Sequence, residues 1–83
     1  MGKVVKLSAI PGSSGPLTAK LLGEHVRAKR SQAKLRIEDA ALLCGVAKET
    51  YSRIEKGKPG VRLEKVLQVC KMLGIQLYTG VQE

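Results

Sequence analysis

The amino-acid sequence predicts a small all-α fold of four to five short helices with a short β-strand near the C-terminal end. In four stretches, apolar residues recur every three or four positions, which is the spacing of one helical face. Glycines follow three of these stretches, and many helices end at a glycine. The chain has no Trp or Phe and two Tyr, so its core must be largely aliphatic, which suits short helices. Its 83 residues form one domain, near the size at which a single core only just stabilises a chain.

The chain divides into three expected segments: a strand or flexible arm in residues 1–15, a helical domain in 16–74 and a dimerisation tail in 75–83. Lys3 to Leu7 are rich in residues that favour strands, and a break follows at Pro11 to Gly15. A short strand with a flexible loop and a disordered arm both fit this pattern.

The first helix is expected from about Leu17 to Lys34. Pro16 fits the first helical position, because its missing N–H is not needed there. The apolar positions follow helical spacing and are Leu21, Leu22, Val26 and Ala33. His25 lies beside this stripe, and we expect it to be partly packed or on the surface rather than catalytic or metal-bound.

A second helix is expected from Ile37 to Cys44, followed by a tight turn. Its apolar face consists of Ile37, Ala40, Ala41 and Cys44. The alanines let another helix approach closely, and Gly45 supplies the left-handed backbone conformation with which many helices end. The next helix therefore begins almost at once, at a sharp angle.

The third helix is expected from Lys48 to Lys56, with Gly57 ending it. Tyr51 and Ile54 occupy its inward face. The remaining side chains, which are mostly charged or polar, face outward.

The fourth helix and the tail complete the pattern. The apolar face of this helix consists of Leu63, Val66, Leu67, Cys70 and Leu73. Gly74 ends the helix, and Ile75 to Val81 then alternate apolar and polar residues as a strand does. A lone strand has unpaired backbone edges, so this one needs a partner.

The net charge is +8, from 15 Lys and Arg against 7 Asp and Glu. Such a bias favours a polyanionic partner, although a solvated basic surface is the alternative. Five basic residues stand against one acid between Lys20 and Lys34, and four against one between Lys58 and Lys71. The middle of the chain is balanced, which is expected if the flanks contact phosphates and the middle reads bases.

Catalysis, metal binding and membrane insertion find no support in the sequence. Cys44 and Cys70 lie on apolar helix faces without neighbours at metal-ligand spacing, so we expect buried free thiols. No nucleophile, acid–base pair or phosphate loop is recognisable, and no cofactor is expected. The chain shows neither an apolar run of membrane-spanning length nor a secretory signal, which predicts a cytoplasmic location.

The stretch from Leu22 to Leu77 resembles the helix-turn-helix regulators of the phage-repressor or Xre type, whose fold is lambda-repressor-like. The residues that carry the resemblance are Leu42 to Val46, Thr50, Ser52 to Glu55 and Gly57. The continuation from Gly57 to Leu63 and the tail from Leu73 to Leu77 are most similar to the HipB-like antitoxin branch. The resemblance implies that Arg30 and Glu55 form a structural ion pair.

Two departures from the family pattern occur, one at the start of each helix. Where the first helix of the unit usually starts with Thr-Gln or Ser-Gln, this chain has Arg36 and Ile37. Arg36 can reach a phosphate, whereas Ile37 cannot. The second helix usually starts with a Ser or Thr cap, and Ala47 stands there instead.

The second helix of a helix-turn-helix, called the reading helix below, directs its N-terminal residues toward base edges in the major groove. The expected base contacts, which match the positions that the family uses, are Lys48, Glu49, Thr50 and Arg53. The expected phosphate contacts around them are Arg36, Ser52, Lys56 and Lys58. Lysine and arginine suit guanine and glutamate suits cytosine, so a half-site containing C·G is expected. An alternative for Glu49 is an ion pair with Arg53 one turn along the helix.

These observations predict a cytoplasmic, sequence-specific regulator that binds double-stranded DNA at a palindromic operator. The resemblance implies a homodimer joined through the tail, and the strand residues expected there are Ile75, Leu77, Tyr78 and Val81. A repressor is the leading role, with the antitoxin of a toxin–antitoxin pair, and hence a cognate toxin partner, also open. The alternative is a protein-interaction module with the same fold that reads no DNA, which the departures at Ile37 and Ala47 favour.

Overall fold

A computed structural model describes residues 16–78, which form four helices and no strand. The helices are α1 (Ala19–Gln32), α2 (Ile37–Cys44), α3 (Lys48–Glu55) and α4 (Leu63–Met72). α3 packs against α1 and α2, and α2 also contacts α4. The predicted all-α class is confirmed. The expected strand or arm in residues 1–15 lies outside the described residues.

The first helix is shorter than predicted at both ends. Thr18 is its N-cap, and its Oγ1 atom accepts a hydrogen bond from the backbone N–H of Leu21 at 3.0 Å. The placement of Pro16 as the first helical residue is therefore wrong, because a capping side chain two residues later starts the helix. Ala33 was expected on the apolar stripe but is the exposed C-cap.

His25 is buried, with 2% of its surface exposed, so the expectation of a partly packed or surface histidine is wrong. It follows Leu22 by three positions and therefore lies on the same helical face. Its Nε2 atom has no hydrogen-bond partner among residues 16–78. Burial lowers the pKa of His25 below its ordinary value of 6.5, and the nearby Glu24 only partly opposes this effect.

The lowered pKa predicts that the fold weakens in mild acid. The neutral imidazole is favoured in the folded state, so below pH 6.5 the unfolded chain binds a proton that the folded chain does not. Stability should therefore be complete above this pH and fall as the pH drops through 6.5 toward the folded pKa, by at most about 1.4 kcal/mol per pH unit from this group. Urea unfolding at pH 7.5 and 5.5 measures the loss. The same loss in His25→Met would assign it to other groups.

α1 and α3 approach each other closely at Gly23. A Cβ atom at this position would lie 2.5 Å from the backbone oxygens of both Ile54 and Glu55. From the other side, a Cβ atom on Gly57 would lie 2.8 Å from the Cα of Lys20. Two glycines, one on each partner, thus allow the end of α3 to lie directly against α1.

The core lies between the four helices and includes both cysteines. Tyr51, Val26 and Val69 are its largest fully buried side chains. Cys44 and Cys70 are buried free thiols, as expected. Burial raises the pKa of Cys44, and it raises that of Cys70 to about 11. Thiols with such pKa values carry little thiolate at neutral pH and act as packing groups.

The tail does not form the expected strand in the single chain. Ile75 to Tyr78 have no regular secondary structure. Ile75 is 4% exposed and belongs to the protein's own core, with Leu77 packed against it. Tyr78 is 54% exposed, and the backbone N–H groups of residues 76–78 have no backbone partner within residues 16–78. Strand pairing between two copies stays a prediction, and Val81 lies outside the described residues.

α4 also leaves apolar side chains uncovered. Its buried residues are Val69 and Cys70, whereas Leu63 and Leu67 are 69% and 47% exposed. Leu67, Cys70 and Leu77 help to line a groove of about 480 Å³ between α4 and the tail. In the part of the chain that the structure describes, no helix has the length and apolar character needed to cross a membrane.

Candidate nucleic-acid interface

The tight turn between α2 and α3 begins at Gly45. Its φ of 73° and ψ of 30° place it in the left-handed region, as predicted. The N–H of Gly45 donates to the carbonyl of Leu42, and the N–H of Val46 donates to that of Ala41. Because this backbone reversal is so short, α3 begins only three residues after Gly45.

A side chain from α4 fixes the same turn. The Nε2 atom of Gln68 lies 2.6 Å from the carbonyl oxygen of Cys44 and 3.4 Å from that of Gly45. Carbonyl groups at a helix C-terminus lack intrahelical partners, and one amide satisfies two of them here. The sequence offered no signal for this contact, because Gln68 is 24 residues from Cys44 and stands between apolar positions.

α3 divides into an anchored face and an exposed face. Tyr51 is fully buried and Ile54 is 5% exposed, as predicted. Three of the four expected base contacts, Lys48, Glu49 and Arg53, are exposed, and Thr50 is half-buried. The polar side chains of a short helix are thus presented together, while two apolar residues hold that helix on the core.

The two cations among these side chains have partners within the protein. The ammonium of Lys48 lies 3.9 Å from the Oε2 atom of Glu38 on α2. Arg53 donates from Nη2 to the carbonyl oxygen of Pro59 at 3.3 Å. Glu49 forms no ion pair with a residue in the range 16–78, so the alternative of a pair with Arg53 is not what the structure contains.

Of the expected phosphate contacts, one lies on α3 and three lie before or after it in sequence. Arg36 is the N-cap of α2, where its Nε atom lies 3.4 Å from Asp39. Lys56 is the C-cap of α3, and Lys58 follows one residue after Gly57, whose φ of 68° reverses the chain. Both lysines are exposed, and Ser52 on α3 is half-buried.

Neither α2 nor α3 has a side-chain cap at its N-terminus. Arg36 begins α2 and Ala47 begins α3, and neither side chain accepts a hydrogen bond from its helix. Ile37, the other departure, is half-buried and packs against the core. The two residue changes noted in the sequence thus leave the N-terminal N–H groups of both helices without the usual side-chain partner.

Arg30 and Glu55 join the C-terminal ends of α1 and α3. Nε of Arg30 lies 2.6 Å from Oε2 of Glu55, and Nη2 lies 3.1 Å from Oε1. A third bond runs from Nη1 to the carbonyl oxygen of Leu35, 3.0 Å away. The carboxylate raises the pKa of Arg30, and only 15% and 7% of the two side chains are exposed. The guanidinium therefore connects α1, α3 and the segment between α1 and α2.

The hydroxyl of Tyr51 is buried near this pair. It forms no hydrogen bond with any residue in the described range. Burial raises the pKa of Tyr51, and the adjacent Glu55 carboxylate raises it further. The ring is thus an apolar anchor under α3, and its hydroxyl stays neutral at physiological pH. No cluster of three or more His, Cys, Asp or Glu side chains that would suit a metal ion occurs among residues 16–78.

Two short helices joined by a glycine turn, with the second one presenting its polar side chains outward, define a helix-turn-helix protein. The comparison with known families agrees: residues 21–77 match the helix-turn-helix domain, and the chain belongs to this family. It is also 38% identical over 60 residues to a protein of Pyrobaculum aerophilum, named provisionally as an HTH-type transcriptional regulatory protein. The match covers 72% of this chain and 24% of that protein, so the chain aligns with only about a quarter of its relative. Both findings place the chain among helix-turn-helix proteins.

Proposed function

We propose that this protein is a sequence-specific transcriptional regulator that reads double-stranded DNA with α3 in the major groove. The main support for this proposal is that α3 has one face anchored on the core and one face exposed. Lys48, Glu49 and Arg53 are exposed on a helix that Tyr51 and Ile54 hold against the core. Such a helix fits the major groove, and its donors and acceptors match the pattern of base edges.

The contacts within the protein support different roles for the two reading cations. Lys48 begins α3, and its ammonium lies 3.9 Å from the Glu38 carboxylate at the N-terminal end of α2. Arg53 lies one turn later and is bonded to Pro59, so it connects the reading helix to the turn that carries Lys58. In the bound state we assign base edges to Lys48, Glu49, Thr50 and Arg53, and phosphates to Arg36, Ser52, Lys56 and Lys58.

A homodimer on a palindromic operator completes the proposal. Tyr78 lies beside the groove along α4, and the backbone N–H groups of residues 76–78 have no backbone partner within residues 16–78. Leu63 and Leu67 add exposed apolar surface. A second copy that pairs along the tail would satisfy these backbone groups and cover part of that surface. Repression is the proposed role. An antitoxin role with a cognate toxin as partner rests on the resemblance to HipB-like proteins.

A protein-interaction module is the second candidate. Leu42 is 82% exposed and Leu43 is 49% exposed on α2, next to the reading helix. Neighbouring exposed leucines suit a protein partner better than DNA. Because this second candidate reads no DNA sequence, sequence-specific DNA binding discriminates between the two functions.

The proposal predicts salt-dependent recovery of a symmetric DNA motif. Selection from random duplex DNA should retain a two-fold symmetric sequence whose half-sites lie about one helical turn apart. If about six phosphates are neutralised, log affinity should fall with log salt at a slope of about −5. Arg53→Ala should weaken binding to the selected site by about 1–3 kcal/mol and relax the preference at one position.

The matched control is Arg27→Ala, which removes an exposed arginine from α1. This variant should keep the selected motif unchanged. Retained sequences that look like the input pool, or an affinity that salt does not alter, would exclude sequence reading and leave the interaction module.

A further inference from the structure

Glu38 is an acidic residue at the reading surface to which the proposed DNA contacts assign no part. It is the second residue of α2, and Lys48 is the first residue of α3. The 3.9 Å between Oε2 of Glu38 and Nζ of Lys48 therefore spans the N-terminal ends of the two helices. Both side chains are more than half exposed, so the pair lies on the surface rather than in the core.

Lys48 stands at a helix N-terminus, where a nearby carboxylate is favourable. The N-terminus of a helix carries a partial positive charge, which disfavours a cation there. Ala47, the N-cap of α3, offers no side-chain oxygen to offset it. Glu38 supplies a negative charge from the neighbouring helix.

Without that charge, Lys48 has no fixed direction. Its ammonium is a point charge on a flexible four-carbon chain, so a free Lys48 would be attracted to the nearest phosphate as readily as to a base. The carboxylate holds the ammonium between the N-terminal ends of α2 and α3. The N-terminal end of α3 is the one that a reading helix directs to the base edges.

We propose that Glu38 is a positioning residue that sets the base preference of Lys48. This inference rests on the proposed function, in which Lys48 reads a base. With Glu38 present, the ammonium is kept toward guanine O6 and N7 and away from the backbone. The same carboxylate repels the phosphates of any DNA, so it narrows the sequence preference while it weakens binding to all sequences.

The test compares Glu38→Gln with the unaltered protein. At the motif position read by Lys48, the preference for the selected base should fall by about tenfold. Affinity for random duplex DNA should rise, and the salt slope should steepen by about 0.9, because the released lysine neutralises one more phosphate. Since the side chain is exposed and only its favourable charge near the helix N-termini is lost, the thermal unfolding midpoint should fall by no more than about 5 °C.

Two further variants isolate the mechanism. Asp39→Asn removes the same charge one residue along, next to Arg36 rather than Lys48, and should strengthen binding to all sequences alike without altering the motif. In a Lys48→Met background, Glu38→Gln should cause no further change in preference at that position.

An unchanged motif in Glu38→Gln would overturn the inference. So would a change in preference that persists in the Lys48→Met background, since Glu38 would then contact a base itself. If the unaltered protein selects no motif, the proposed function fails instead, and the two failures are thereby distinguishable.

Discussion

Replacing Arg30 by methionine is expected to lower the free energy of unfolding by about 3–5 kcal/mol. The substitution leaves the carboxylate of Glu55, whose side chain is 7% exposed, without its two hydrogen bonds. It also removes the donor to the carbonyl of Leu35, so the connection from α1 to α2 loses a bond. For a domain of this size the loss is comparable with the whole stability. Urea unfolding followed by circular dichroism measures it.

A double-mutant cycle separates the pair from its surroundings. Glu55→Met should cost less than Arg30→Met, because the guanidinium keeps its bond to Leu35. Arg30→Met with Glu55→Met should cost much less than the sum of the single changes, since no buried charge is then unpaired. The exposed pair Arg36 and Asp39 is the control, with a coupling energy of at most about 1 kcal/mol. Additive losses for Arg30 and Glu55 would show that the buried pair contributes no more than packing.

Replacing Gly23 by alanine should destabilise the fold by roughly 2–3 kcal/mol. In an ordinary helix this change is stabilising by about 1 kcal/mol, so even the sign is informative. Here the new methyl group meets the backbone oxygens of Ile54 and Glu55 at 2.5 Å, and backbone atoms cannot rotate away. α1 and α3 must separate, at the higher end of the cost of overpacking. The unfolding midpoint should fall by roughly 10–20 °C.

Glu24→Ala, one residue along on the exposed side of α1, is the matched control for this change. It should alter the free energy of unfolding by less than about 0.5 kcal/mol. If Gly23→Ala melts at the same temperature as the unaltered protein, or higher, α1 and α3 do not pack as closely as the structure has them.

The sequence predicted those parts of the fold that depend on local physics. The predicted bounds of α2 agree with the structure at both ends, because a four-member apolar face defines the helix and a left-handed glycine ends it. α3 was placed to within one residue for the same reason, with Gly57 at its end. The start of α1 was predicted two residues too early, because the side chain of Thr18 caps the helix and decides where it begins.

Hydrophobic periodicity does not predict contacts between residues that are distant in sequence. The bond from Gln68 to the α2–α3 turn and the bond from Arg53 to Pro59 depend on how the elements are placed in space. His25 shows a different limit: it was expected to be partly packed or on the surface beside the apolar stripe, but it lies on the buried face of α1 with Leu22. The Arg30–Glu55 pair was anticipated through the family resemblance, not through charge pattern.

The inward and outward faces of α3 can be altered independently of each other. Its fixation to the core depends on Tyr51 and Ile54, while the exposed Lys48, Glu49 and Arg53 contribute little to packing. In the function proposed above, affinity for a given DNA sequence and resistance to unfolding are therefore separable properties of the helix. Randomising the outward positions should yield folded variants of many preferences, which makes this small domain a suitable scaffold for libraries aimed at new target sites.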